Sequence, residues 1–267
     1  MAKILKPKKR GALNMGRTLT PEQLKKHKEE ALNCLDSYIT SLIDDSDPKI
    51  QSKSDKLSYW LKDWTTFLSY ESVFSPSSLR RYKRGEIVKA HLGYNVGSEE
   101  GGLHYCVVLD KENSKNSPVI TVVPLTSVKD KTDLSHLHKG DIYLGNEIFT
   151  NLNSKISSTD KRLVSNLSRL TSQILTLPDS VSQDTIDSIQ EEMHSCKKDI
   201  ELLKRMKQEV QKMRIGSIAL VSQIRTISKI RIYDPKSNYD ILSNVKLSNE
   251  KLDLIDEELV KLYTGKK

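Results

Sequence analysis

The sequence predicts an α+β protein: a small β-barrel preceded by a helical pair, interrupted by an antiparallel coiled-coil hairpin and followed by a last helix. Three observations carry this. Glycine is absent from residues 17–84 and again from 146–215, and a glycine costs a helix interior about 1 kcal/mol relative to alanine. Between and after those stretches, short β-branched runs are bounded by Gly, Asn, Asp and Ser, the mark of strands. Residues 156–210 carry a heptad seam folded back on itself. The strands on either side of that seam are too few to stand alone, so they are expected to share one barrel.

Residues 1–18 form a basic tail with Lys3, Lys6, Lys8, Lys9 and Arg10. It lacks the apolar centre of about 7–15 residues that a signal peptide needs. Residues 19–79 form the helical region, opening with Thr20 as N-cap and Pro21 in the first turn. Leu24, Leu32, Leu35, Ile39 and Leu42 give the first helix an apolar stripe; Ser46-Asp47-Pro48 ends it and starts the second. There Leu57, Trp60, Trp64 and Phe67 recur on one face, a packing stripe rather than a stacking platform.

From residue 80 to 147 the period changes to that of the first part of the barrel. Strands are predicted at Ile87–Leu92, Leu103–Leu109, Val119–Leu125 and Ile142–Leu144. The hairpin occupies 148–215. Its first arm carries Ile156, Leu163, Leu167, Leu170, Ile174 and Leu177; its return arm carries Ile186, Ile189, Met193, Cys196, Ile200, Leu203 and Val210. Leu177-Pro178-Asp179-Ser180 makes the turn, and each arm spans roughly 40 Å. Residues 216–267 supply the second part of the barrel and a helix after Ser248 with Leu252, Ile255, Leu259 and Leu262 on one face.

With 267 residues, 36% apolar and 29% charged, the chain is expected to be water-soluble, and no apolar run approaches the ~20 residues that span a bilayer. Cys34, Cys106 and Cys196 are odd in number and lack metal-ligand spacing, which fits reduced thiols in the cytoplasm. A net charge of +8 suits a polyanionic partner; a lysine-rich soluble protein with no such partner has the same balance.

The chemistry concentrates at polar strand ends. Gly93, Gly97, Gly101 and Gly102 punctuate an acidic loop holding Ser98, Glu99 and Glu100, and His104 follows it. Thr126 and Ser127 end another strand, while Gln223, Arg225 and Thr226 lie at a later strand turn. Imidazole, guanidinium, hydroxyls and carboxylates together can hold a phosphodiester and move protons. A histidine one position beyond a glycine pair can equally be structural. The sequence has neither a metal-ligand cluster nor a phosphate-cradling glycine loop, so no metal and no cofactor are expected.

Read in order, Arg84-Gly85-Glu86-Ile87, the GSEEGG loop at 97–102, Val107-Val108-Leu109, Val122–Thr126 and Gln223-Ile224-Arg225-Thr226 resemble the MazF/PemK family of toxin endoribonucleases. The resemblance covers roughly residues 84–145 and 216–263. It implies an SH3-like barrel, usually a homodimer, that binds single-stranded RNA. It also implies cleavage without metal through the 2′-hydroxyl, leaving a 2′,3′-cyclic phosphate. Carried over, Thr126 matches the catalytic threonine, with Ser127 beside it; Ser98 and Glu99 fall in the loop over the site; Gln223, Arg225 and Thr226 match the flanking segment. A cognate antitoxin, whose acidic tail lies in the RNA groove, is the implied protein partner.

One departure matters. The family carries arginine, then proline, where this chain has His104 and Tyr105. Arginine holds its charge and offers phosphate a fork, whereas histidine, ordinarily titrating near about 6.5, exchanges protons. Either His104 serves as general acid or base in a working ribonuclease, or cleavage is disabled and the barrel binds RNA or protein. The helices outside the core suggest three roles: dimerisation or partner docking by the hairpin, restraint in cis by the N-terminal pair, or support of the barrel.

Overall fold

The computed structural model describes residues 19–213 and 216–265, so the basic tail at 1–18 lies outside the described residues. The chain divides into two compact units, Met1–Leu61 and Lys62–Lys267. In the first, α1 (Pro21–Ile43) opens on a capping box: the Gln23 amide donates to the Thr20 hydroxyl, and the Thr20 amide donates to the Gln23 side chain. The Gln51 side chain donates to the carbonyls of Ile43 and Asp45 at 3.2 and 2.9 Å, closing the turn into α2 (Pro48–Tyr70). Leu42 and Leu57 are buried, but Leu24 and Leu32 are each 55% exposed. The stripe read along α1 is therefore covered only towards its C-terminal end.

Among the described residues, the second unit holds all seven strands: β1 (Ile87–His91), β2 (Leu103–Val108), β3 (Val119–Ser127), β4 (Asp141–Gly145), β5 (Ser217–Leu220), β6 (Arg225–Ser228) and β7 (Ile232–Asp234). They form one antiparallel sheet in the order β4-β5-β3-β2-β1-β7, with β6 also on β3. Ile87, Val107 and Val123 join one buried cluster, while Val88, Cys106, Val108 and Val122 join another. Side chains alternate across a strand, so residues buried on both faces appear in sequence as unbroken apolar runs such as Cys106–Leu109. The strands before and after the hairpin do pair, as expected: β5 and β6 lie on β3. Closure is not borne out among the described residues. The hydrogen-bonded path ends at β4 and β7, and β7 holds β1 through only two paired positions across a register shift at Lys89/Ala90.

One irregularity positions the site. Ala219 pairs with Leu125, and Arg225 with Val122, so residues 220–224 stand opposite only Val123 and Pro124. A proline gives a ladder no N–H. At that place the partner strand leaves the sheet in a 3-10 turn, Val221–Gln223, which carries Gln223 outward.

Helices α3 (Glu147–Leu175) and α4 (Gln183–Lys212) pack along one another. Leu163, Leu170, Cys196, Leu203 and Met206 are buried along their seam, and Arg162 forks onto Asp199 at 2.7 and 3.1 Å. At their base Leu144, Ile148 and Leu152 merge with the sheet core. Ser248 caps α5 (Asn249–Tyr263), whose Leu252 and Ile255 are buried.

Lys155 of α3 donates to the carbonyls of Asp240, Ile241 and Ser243 at 2.8–2.9 Å, pinning the 240–243 turn. Burial draws this ammonium down to about 8 from an ordinary 10.5. The folded value is the lower one, so between those limits the unfolded chain holds the extra proton and stability from this group rises with pH. Lys155→Met is expected to destabilise by about 2–4 kcal/mol, since buried carbonyls lose their donor. In denaturant titrations at pH 8 and 10, the gap between wild type and variant should widen at the higher pH. A gap that narrows would refute this account.

Candidate active site

The loop between β1 and β2 is held at its neck. Leu92 N–H donates to the Gly102 carbonyl and Gly102 N–H to the Gly93 carbonyl, both at 2.7 Å. Inside the loop, the Asn95 amide donates to the Glu100 carbonyl at 2.6 Å. Gln223, thrown outward by the strand excursion, clamps the loop from outside. Its carbonyl oxygen accepts from Glu100 N–H and its amide donates to the Ser98 carbonyl, both at 2.9 Å. Arg225 donates to the same Gln223 oxygen at 3.4 Å. The glycine-rich segment is thus tethered from two sides.

His104, the second residue of β2, sits where the loop returns to the sheet. Its Nε2 lies 3.0 Å from Glu100 Oε1, and its Nδ1 lies 3.1 Å from the carbonyl oxygen of Leu125 on β3. The imidazole and the carboxylate are each about one-quarter exposed, at 23% and 26%. Both ring nitrogens face oxygen, so the neutral ring donates to one of the two and the protonated ring to both. Beside the pair opens a cavity of about 490 Å³, with Glu100, His104, Thr126, Ser127, Lys129 and Lys212 in its wall.

Of the residues singled out from sequence, His104, Thr126 and Ser127 share this wall. Arg225, Gln223, Thr226, Ser98 and Glu99 are not part of it. Arg225 and Gln223 reach it through Glu100; the Thr226 hydroxyl pairs with Thr121 at 3.1 Å; Glu99 is exposed. Glu100, named in the sequence without a role, is the acid that meets the imidazole. Lys129 and Lys212 went unmarked, since an exposed lysine leaves no trace in periodicity.

A second layer supports the cavity. Tyr105 donates its hydroxyl to Glu209 of α4, and Lys89 donates to the same carboxylate. Burial opposes ionisation of Glu209, yet those two hydrogen bonds and the positive neighbours hold its carboxyl below the usual range. Burial pushes the Cys106 thiol up to about 12, with Arg225 opposing and Glu100 adding to the shift, so this cysteine is inert at neutral pH. His91 Nδ1 accepts from Gly93 N–H at 3.1 Å, bracing the loop's first glycine; burial, opposed by Asp63, lowers its pKa. Among the described residues, no three His, Cys, Asp or Glu side chains converge as metal ligands, and no helix is long and apolar enough to cross a membrane.

This is an α+β protein with a polar, partly cationic cleft where β2 begins and β3 ends. Residues 83–196, under half of the chain, match the family described as PemK-like, MazF-like toxin of type II toxin-antitoxin system. The match takes in β1 to β4, α3 and the first half of α4, and stops before β5, β6 and β7. No match was found among curated proteins.

Proposed function

We propose that this protein is the toxin of a toxin–antitoxin pair and cleaves single-stranded RNA through the ribose 2′-hydroxyl, without a metal. The observation that supports it is the His104–Glu100 pair, joined at 3.0 Å, in the same wall as Thr126. The family match over residues 83–196 supports the reaction class; the pair suggests how this chain performs it with histidine at the position where the resemblance implies arginine.

In this reading the 2′-oxygen attacks phosphorus, the bond from phosphorus to the 5′-oxygen breaks, and a 2′,3′-cyclic phosphate forms. The Glu100 carboxylate takes the proton from the 2′-hydroxyl. His104, holding a proton towards Glu100, delivers one to the departing 5′-oxygen, so the pair gains one proton and gives one away. Thr126 and Ser127 donate hydroxyl hydrogen bonds to the phosphoryl oxygens, and Lys129 offsets their charge. Arg225 acts through Gln223 to hold the loop in place. A supercoiled hairpin, a homodimer, an antitoxin seated in the cleft and a cytoplasmic location belong to the same proposal.

The test uses purified protein, a mixed-sequence single-stranded RNA and EDTA. The expected result is cutting of the RNA but not of its DNA copy, with cyclic-phosphate ends, slowed about 10²-fold by Thr126→Ala. RNA that is bound yet left whole by the wild type would sink the proposal in favour of a disabled binding module.

A further inference from the structure

The inserted hairpin does more than pack against the sheet. Its second helix ends at Lys212, and Lys212 stands in the cavity wall with Thr126, Ser127 and Lys129. Three residues earlier on the same helix face, Glu209 accepts from Tyr105 of β2 and Lys89 of β1. Those bonds fasten the end of α4 to the two strands that border the loop. Glu209 is thereby engaged by two donors, and the Lys212 ammonium is presented to the cavity from a fixed helix end.

We propose that the hairpin completes the nucleic-acid site: Lys212 contacts a backbone phosphate of single-stranded RNA next to the one being cut, with Glu209 as the positioning residue. This rests on the ribonuclease reading and deepens it, because it makes the inserted helices part of substrate recognition. A lysine on phosphate acts as a point charge without base preference. Its contribution is therefore uniform across sequences and dependent on salt. Each phosphate neutralised on a single strand adds about 0.7 to the slope of log K against log salt.

The experiment measures fluorescence anisotropy of a short single-stranded RNA with 2′-fluoro riboses, which binds but has no 2′-nucleophile, over a salt series. Lys212→Met is expected to weaken binding about three- to fivefold at low salt, the scale of one exposed charge contact. It should also flatten the salt slope by about 0.7. Lys212→Arg should keep the slope, which separates lost charge from a damaged helix end. Lys197→Met, exposed on the same helix and outside the cavity wall, should leave binding unchanged. Lys212→Met and Lys197→Met with identical slopes would overturn the proposal while leaving the ribonuclease reading intact. A wild type that binds no RNA in any salt would remove that reading itself.

Discussion

His104→Ala is expected to slow RNA cleavage by about 10²–10⁴-fold, the usual worth of a positioned acid or base, while RNA affinity changes by less than about fivefold. The reason is geometric. The imidazole bridges a carboxylate and a main-chain carbonyl at 3.0 and 3.1 Å, so it is held by the fold before substrate arrives. Its side chain is 23% exposed, and truncation leaves a small, solvent-reachable gap rather than a core cavity. Unfolding temperature should therefore move little. His104→Arg gives the sharper comparison: it installs the residue type that the resemblance implies here, with a fixed charge and a fork for phosphate. The Arg variant should bind RNA at least as well as wild type yet cleave on a flatter pH profile, because a guanidinium does not exchange protons in the working range. Glu100→Gln should mimic the loss in rate while keeping the loop's main-chain bonds. Single-turnover cleavage across pH, set beside anisotropy, reads all three. Cleavage by His104→Ala at the wild-type rate would mean the imidazole only braces β2 against β3.

Much of this architecture was legible in the residues. Thr20 and Pro21 predicted the start of α1, Ser248 the start of α5, and the glycine-free spans bounded the helices, because capping and backbone freedom are local matters. The pairing of β5 and β6 with β3 across the inserted hairpin followed from the inability of either strand set to stand alone. What stayed hidden depends on offsets between elements. Pro124 was visible, but nothing in a strand's alternation says that its partner leaves the ladder opposite it and throws Gln223 onto the loop. Glu99 and Glu100 are chemically equal in sequence, and only the loop's neck decides that the second meets His104. Lys212 lies in the cavity wall at the end of an α4 whose Glu209 is bonded to β1 and β2, whereas periodicity reports only which face of a helix is apolar. The closed barrel expected from the motifs gave way to an open sheet, since strand count does not determine whether edge strands such as the three-residue β7 find each other.

Gly101→Ala is expected to lower cleavage by about 10–100-fold, or roughly 1.4–2.7 kcal/mol at the transition state, with a much smaller loss of global stability. A Cβ at this position would lie 2.7 Å from the Gly93 carbonyl oxygen, inside the range where backbone must shift. That oxygen accepts from Gly102 N–H at 2.7 Å, so relief of the clash opens the neck of the loop. Glu100 is the adjacent residue, tied to Gln223 through its N–H, and a displacement of the neck carries its carboxylate away from His104. Gly97 supplies the control. It holds a left-handed φ of +65°, yet nothing lies within 4 Å of a Cβ there. Gly97→Ala therefore incurs about 1–2 kcal/mol of backbone strain without pushing on Glu100, and cleavage should fall by less than about threefold. Hydrogen exchange at Gly102 N–H distinguishes the two: faster in Gly101→Ala, where its acceptor has moved, and near wild type in Gly97→Ala. Equal losses of cleavage in both variants would assign the effect to loop strain in general and withdraw the special place given to Glu100. A loss confined to Gly101→Ala would tie the rate to one close approach of backbone, from Gly101 to Gly93, and through it to the acid that faces the imidazole.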